Sequence, residues 1–320
     1  MIVPHRLLSF LKEEKKFLIA THISPEADAI GSCLALSMAL EFLGKVTILY
    51  DKDPVPKVCH FLPAYEKFTN IIPSSLTSDF VLILLDCSTL KRAGIESLAF
   101  KYSAVIDHHE TEEDFGDVKW LVPEAAATGM MIFYLIKELG MAITRDMAVN
   151  LYSAIAIDTG IFRYANTTSE VLRIAAQLVD AGAHPAHISD NLYETWSQGR
   201  FALLIRALNT LEVKGNVAIM FVTREMYKKT GTAPEDTENF PGFPRIMKDI
   251  KLSAFFREMD DNYWKVSLRS KGEINVALIA SLFNGGGHKN AAGYIVRSDL
   301  KTAKESLLKA LFTFKQHGEA

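Results

Sequence analysis

Asp107-His108-His109 follows the short apolar run Ser103–Ile106, so an acid and two imidazoles stand where a strand should end. In open α/β sheets the carboxyl ends of strands are where ligands bind. Two further runs end alike: Phe17–Ala20 leads into Thr21-His22, and Val81–Leu85 leads into Asp86. A fourth acid, Asp158, closes the apolar helical pattern of Arg145–Ile157. Taken singly, such residues are ordinary turn and capping residues. Several element ends that carry His and Asp to one sheet edge predict a metal site instead. In His22-Ile23-Ser24-Pro25-Glu26-Ala27-Asp28, His22 and Glu26 can turn to one ion and Asp28 to another. Asp86 can give one oxygen to each, and His108 and Asp158 complete the second ion's ligands. Two imidazoles with four carboxylates suit borderline-hard divalent ions, manganese best, with magnesium, cobalt or zinc admissible.

Four carboxylates nearly neutralise two dications, so a phosphate brought to them needs further cations. Gly285–Gly287 lets backbone N–H groups close on an anion, and His288 and Lys289 follow directly. Arg269 ends a strand pattern just upstream, and Arg163, in the stretch after Asp158, serves either as another phosphate or specificity contact or as the partner of a structural acid. His184 and His187 are three apart, but Pro185 between them reads as the start of a helix.

The elements that must position these groups alternate. A strand over 16–21, a loop over 22–26 and a helix over 27–43 ending at Gly44 form the first unit. Strands follow at 46–50, 79–86 and 103–107, with a helix over 89–100, which predicts a parallel sheet. Helices are expected over 124–139, 145–157 and 168–181, and a helical linker over 191–211. Beyond 212 the pattern changes to alternating strands at 217–222, 252–257, 263–269 and 292–296. Helices over 274–283 and 301–314 complete that part, and the proline-rich stretch 230–244 reads as an exposed loop.

The chain of 320 residues is long enough for two domains, and 49% hydrophobic against 23% charged residues allows a real core. A net charge of −3 argues against a long nucleic-acid groove and against duplex as a partner, but not against a small anion met by metals. There is no uncharged apolar run of about eighteen residues, so no membrane span is expected. The N-terminal stretch lacks a signal peptide's apolar centre, which points to the cytoplasm. Cys33, Cys59 and Cys87 have no paired spacing and read as buried reduced thiols. A homodimer is left open.

These residues together resemble the DHH-family phosphoesterases, named for the triplet that Asp107-His108-His109 matches, and the likeness covers nearly the whole length. His22–Ser32 resembles the family's first motif, HxxPDxDxxGS; Asp86 matches the second and Asp158 the fourth. Asn284–Gly293 is similar to the GGGH-containing C-terminal domain usually joined to it. Within the family, the size and domain pair look most like the oligoribonuclease (nano-RNase) and pAp-phosphatase group. The resemblance implies two manganese ions, with His22, Glu26 and Asp86 on one and Asp28, Asp86, His108 and Asp158 on the other. It implies His109 facing the substrate phosphate and Asp107 orienting the site from behind; Arg163, Arg269 and His288 are expected as further catalytic residues that stabilise charge on the substrate. Gly285, Gly286, Gly287 and Lys289 would hold the substrate. The chain departs from the pattern twice: Glu26 stands where Asp is usual, and Asn284 stands where a fourth glycine is common.

The implied fold is α/β, with an N-terminal parallel-sheet catalytic domain over 1–190 and a smaller α/β substrate-binding domain over 212–320. The linker over 191–211 joins them, and the active site is expected in the cleft between. The implied activity is hydrolysis of short single-stranded oligonucleotides, and of pAp to AMP and phosphate. A phosphodiesterase for cyclic or linear dinucleotides, of c-di-AMP or pGpG type, fits the same residues. A pyrophosphatase or a non-catalytic nucleotide-binding protein fits them less well.

Overall fold

The computed structural model describes residues 1–72, 78–87, 89–109, 115–194 and 196–316. The chain divides into two compact units, Met1–Thr195 and Trp196–Ala320.

The first unit runs α1 (His5–Glu13), β1 (Lys16–Ala20), α2 (Ala27–Phe42), β2 (Val46–Tyr50), β3 (Phe68–Thr69), β4 (Val81–Leu85) and α3 (Leu90–Ala93). It continues with β5 (Tyr102–Asp107), β6 (Val118–Leu121), α4 (Thr128–Glu138), α5 (Arg145–Asp158), α6 (Ser169–Asp180) and α7 (Pro185–Tyr193). The six strands form one parallel sheet in the order β3-β2-β1-β4-β5-β6. The order reverses between β1 and β4, which makes their carboxyl ends the topological switch point where such sheets bind ligands. Every residue of β4 is buried, as a central parallel strand covered on both faces requires. Helices α2, α4 and α5 fill one face with a large apolar cluster, and Leu18, Leu82, Leu84 and Val105 belong to a second cluster on the other. Gly31 has a backbone reason: a Cβ there would sit 2.4 Å from the Asn150 carbonyl oxygen, so α2 and α5 touch backbone to backbone.

The second unit runs α8 (Gln198–Leu208), β7 (Glu212–Lys214), β8 (Val217–Val222), α9 (Arg224–Thr230), β9 (Leu252–Asp260) and β10 (Tyr263–Ser270). Then come α10 (Val276–Ser281), β11 (Gly286–His288), β12 (Ala291–Arg297) and α11 (Leu300–Gln316). Its sheet is mixed, in the order β11-β12-β10-β9-β8-β7, with β8 and β9 the parallel pair.

Several expectations needed correction. The helix expected over 89–100 is a single turn, because Gly94 takes a left-handed φ of 67° and ends it. The helix expected from 124 begins at Thr128, after three buried alanines. The stretch 230–244 is not an exposed loop: it folds into 3-10 turns that bury Phe240, Pro241 and Pro244 against the second unit. Within 191–211, α8 packs Leu203, Leu204 and Ala207 into an apolar cluster with Val222, Phe240 and Phe255. The three cysteines are free and buried. Among the described residues no helix is long and apolar enough to cross a membrane.

Candidate metal centre

His22 follows β1, Asp86 follows β4, and Asp107 ends β5 with His108 and His109 beyond it, so three neighbouring strands deliver the polar groups. Asp86 turns out of its strand at a left-handed φ of 56°, a conformation Asp tolerates better than most residues. Its two oxygens point to different partners. Asp86 Oδ2 lies 3.4 Å from His22 Nε2, and Asp86 Oδ1 lies 3.4 Å from His108 Nε2. His108 Nε2 is also 3.2 Å from Asp158 Oδ2 and 3.7 Å from Asp28 Oδ2. Asp158 comes from the last residue of α5 and Asp28 from the first turn of α2.

Both imidazoles are fixed from behind. His22 Nδ1 bonds the Ile23 carbonyl at 3.0 Å and His108 Nδ1 bonds the Ala125 carbonyl at 3.1 Å. With Nδ1–H donating to a carbonyl, each Nε2 keeps its lone pair for a ligand, the arrangement that metal-binding histidines use.

Asp28 is held by a helix end. Helix α4 has Ala127 at its N-cap, which offers no side-chain oxygen. Asp28 takes that role from elsewhere in the chain: Thr128 N donates to Oδ2 at 2.7 Å and Gly129 N to Oδ1 at 2.8 Å. Ser32 Oγ adds a bond to Oδ1 at 3.1 Å, and Thr128 Oγ1 donates to Asp86 Oδ1 at 3.1 Å. Thr128 and Gly129 were not singled out from the sequence. Their signal was the run Ala125-Ala126-Ala127-Thr128-Gly129, small residues where a helix starts without a cap.

Charge in this cluster is unbalanced toward the acids. Burial pushes the Asp28 carboxyl well above the usual range, and Asp158 and Asp86 push it further. Burial also raises Asp86, but hydrogen bonds from His108 and His22 outweigh it and hold it well below that range. Burial pulls His108 down, yet its bonds to Asp158 and Asp86 and the charge on Asp28 carry it up to about 11. Protons on imidazole thus supply the positive charge that the carboxylates demand. Divalent cations fit that demand, since they displace such protons and prefer this mixture of carboxylate and imidazole. The possible ligand atoms of Asp28, His108 and Asp158 lie within 4.8 Å of one another, as do those of Asp86, His108 and His109.

Asp107 is fully buried and holds His109 twice, through Nδ1 at 2.7 Å and the backbone N at 3.1 Å. A group with no exposed surface positions His109 and touches nothing outside. Glu26 is exposed at the N-cap of α2, and its charge acts on Cys59 and Tyr193. Arg163 is exposed, with Nε bonded to the Gly160 carbonyl at 2.8 Å. It follows Gly160, Ile161 and Phe162, all at φ between 55° and 57°, a left-handed turn directly after Asp158. His184 caps α7 by position and His187 packs edge-on against Phe61.

In the second unit, Gly286–His288 is an edge strand paired with β12, not a free loop. A Cβ on Gly285 or Gly287 would lie 2.3 Å and 2.5 Å from backbone oxygens of β12, so close chain packing accounts for those two glycines. His288 is exposed, Lys289 pairs with Glu273 at 2.7 Å in the turn, and Arg269 Nη1 bonds the Leu268 carbonyl at 3.0 Å.

Residues 16–155 match the family described as the DHH family, N-terminal domain, and residues 214–316 match the DHHA1 domain. The bifunctional oligoribonuclease and PAP phosphatase NrnA of Thermus thermophilus is 36% identical over 93% of this chain and 90% of that protein. The protein of the same name from Bacillus subtilis is 28% identical over 88% of this chain and 89% of its own. An exopolyphosphatase-related protein from Bacteroides fragilis has a crystal structure that superposes with a TM-score of 0.88 at 28% identity, covering 97% of this chain and 96% of that one.

Proposed function

The chain belongs to the DHH family, and on that premise we propose that it hydrolyses short single-stranded oligonucleotides and removes the 3′-phosphate of pAp. The names of its Thermus and Bacillus relatives support both activities. The observation that carries the reading is the shared carboxylate of Asp86, whose two oxygens face His22 and His108 at the switch point of the sheet.

We assign two manganese ions to this cluster, with His22, Glu26 and Asp86 holding one and Asp28, Asp86, His108 and Asp158 the other. When bound, such ions supply charge against the phosphoryl oxygens and make water a competent nucleophile near neutral pH. The chain's own groups do the rest. Thr128, Gly129 and Ser32 fix Asp28, and Thr128 also fixes Asp86. Asp107 orients His109, whose ring is partly exposed and donates to a phosphate oxygen of the substrate. Arg163 neutralises a further oxygen. Arg269, His288, Lys289 and the backbone of Gly285–Gly287 bind the remaining phosphates. In the reaction, a water oxygen adds to phosphorus and the P–O bond to the leaving group breaks, the departing oxygen taking a proton.

A panel of substrates with manganese tests this: dinucleotides, five-mers, pAp, cyclic dinucleotides and pyrophosphate. Release of mononucleotides from the short strands and of phosphate from pAp is expected. Turnover confined to cyclic dinucleotides or pyrophosphate would replace the reading with one of those activities.

A further inference from the structure

The loop from β1 to α2 is short, and two of the assigned metal ligands stand at its ends. Ile23, Ser24 and Pro25 separate His22 from Glu26. The backbone between them is strained. Ser24 takes a left-handed φ of 58° although it carries a side chain. It also precedes Pro25, whose ring pushes the residue before it toward extended backbone. Such a conformation persists only where the surroundings enforce it.

Three contacts enforce it here. Ile23 N donates to the Arg92 carbonyl of α3 at 2.8 Å, and Pro25 is buried. Between them, Ser24 N donates to Asp53 Oδ2 at 2.8 Å, with Ser24 Oγ 3.5 Å from the same oxygen. Asp53 comes from the adjacent strand. β1 and β2 run parallel with Ala20 opposite Tyr50, so the residues after each leave the sheet at the same edge. Asp53 is itself braced: its N donates to Asp51 Oδ1 at 2.8 Å, and Asp51 N donates to the Thr69 carbonyl of β3 at 3.2 Å. Asp51 is buried, and Pro54 restricts the backbone of the residue before it.

A carboxylate at position 53 is unfavourable for the fold beside it. Burial raises the Asp51 carboxyl, the bond from Asp53 N lowers it, and the charge on Asp53 raises it again. Neither acid forms an ion pair among the described residues. What the Asp53 carboxylate does instead is accept from Ser24, across 29 residues of sequence. Asp28, on the far side of Glu26, is held by other groups, the amides of Thr128 and Gly129 and the Ser32 hydroxyl.

We propose that Asp53 is a positioning residue for the ion assigned to His22, Glu26 and Asp86. Its carboxylate keeps Ser24 in the left-handed conformation and so sets how the His22 and Glu26 ends of the loop stand to one another. The proposal rests on the two-ion assignment above. It makes the two ions unequal in their dependence on Asp53, because Asp28 hangs from α4 and not from this loop.

The test is manganese titration of the metal-free full chain, with the unbound ion read by electron paramagnetic resonance, for the parent, Asp53→Ala and Asp53→Asn. Loss of a contact that orients a metal ligand weakens binding by about 10–100-fold. In Asp53→Ala one ion should bind about tenfold more weakly and the other as in the parent. Asp53→Asn keeps an oxygen that can accept from Ser24 N, so it should recover most of that loss. Parent-like affinity for both ions in Asp53→Ala overturns the proposal. So does equal weakening of both, the result of a general loosening of the fold, and so does an Asp53→Asn variant as weak as Asp53→Ala, which would make the effect one of charge. In each of those cases the parent still binds two ions and the two-ion assignment stands. A parent that takes up fewer than two ions overturns the assignment and the positioning role together.

Discussion

Gly129→Ala tests whether α4 holds the metal centre by its first turn. The new Cβ would lie 2.5 Å from Ala154 Cβ and 3.3 Å from Asp28 Oδ1. Carbon atoms rest at about 3.5–4.0 Å, so α4 must retreat from α5 by about 1 Å. Overpacking of that kind costs about 1–3 kcal/mol. The retreat also draws the Thr128 and Gly129 amides away from Asp28, which they now reach at 2.7 Å and 2.8 Å. A hydrogen bond to a charged group contributes about 1.5–3 kcal/mol, and partial loss of both brings the whole to roughly 3 kcal/mol. Urea unfolding should show that loss, and manganese titration should show affinity lower by about tenfold, as removal of a ligand's supporting contact does. Ala154→Gly in the same chain gives the new methyl room, so the double variant should recover at least about 1 kcal/mol relative to additivity. Parent-like stability and metal affinity in Gly129→Ala, or no recovery in the double variant, would refute the reasoning.

Asp86→Ala removes the carboxylate that faces both imidazoles; bound manganese and turnover should vanish while the circular dichroism spectrum persists, and retention of two ions with normal turnover would contradict the bridging role. Glu26→Asp should keep activity, perturbing only metal preference, whereas Glu26→Ala should weaken one ion; metal titration that shows no change in Glu26→Ala makes it a loop carboxylate. Asp51 is 1% exposed with Oδ2 unpartnered, and burial pushes its carboxyl up to about 7. Because its folded pKa lies above the unfolded value, ionisation costs the fold stability as pH rises from about 4 toward 7. Metal-free Asp51→Asn should therefore match the parent in unfolding midpoint near pH 4 and exceed it near pH 8; a constant difference would remove the argument.

The parallel sheet and the strand tips that carry His22, Asp86 and Asp107 were legible because a buried strand is a short apolar run that a polar residue ends sharply. Asp28 and Asp158 were legible for the same reason at helix ends. What holds them was not. The bonds from Thr128 and Gly129 to Asp28 join residues a hundred apart in the chain, and no local pattern reports such a contact. The stretch 230–244 was misjudged because three prolines suggest exposure, while Phe240, the residue that anchors it, is fully buried. The glycine run was read only for the anion its backbone N–H groups can hold, and its pairing with β12, made through a hairpin turn at Lys289 and Asn290, was missed. Two of its three glycines answer to that pairing, whereas a Cβ on Gly286 would meet nothing within 4 Å.

The most direct test of the account is a manganese-dependent time course on labelled single strands from two to about twenty-four nucleotides, with a duplex and pAp alongside. With a net charge of −3 and no long basic stripe in the sequence, few phosphates beyond the first ones gain contacts. Turnover should be fastest at about two to five nucleotides, fall on longer strands, be negligible on duplex, whose end offers no free base to stack, and release phosphate from pAp. Processive degradation of the longest strand at an undiminished rate would contradict it.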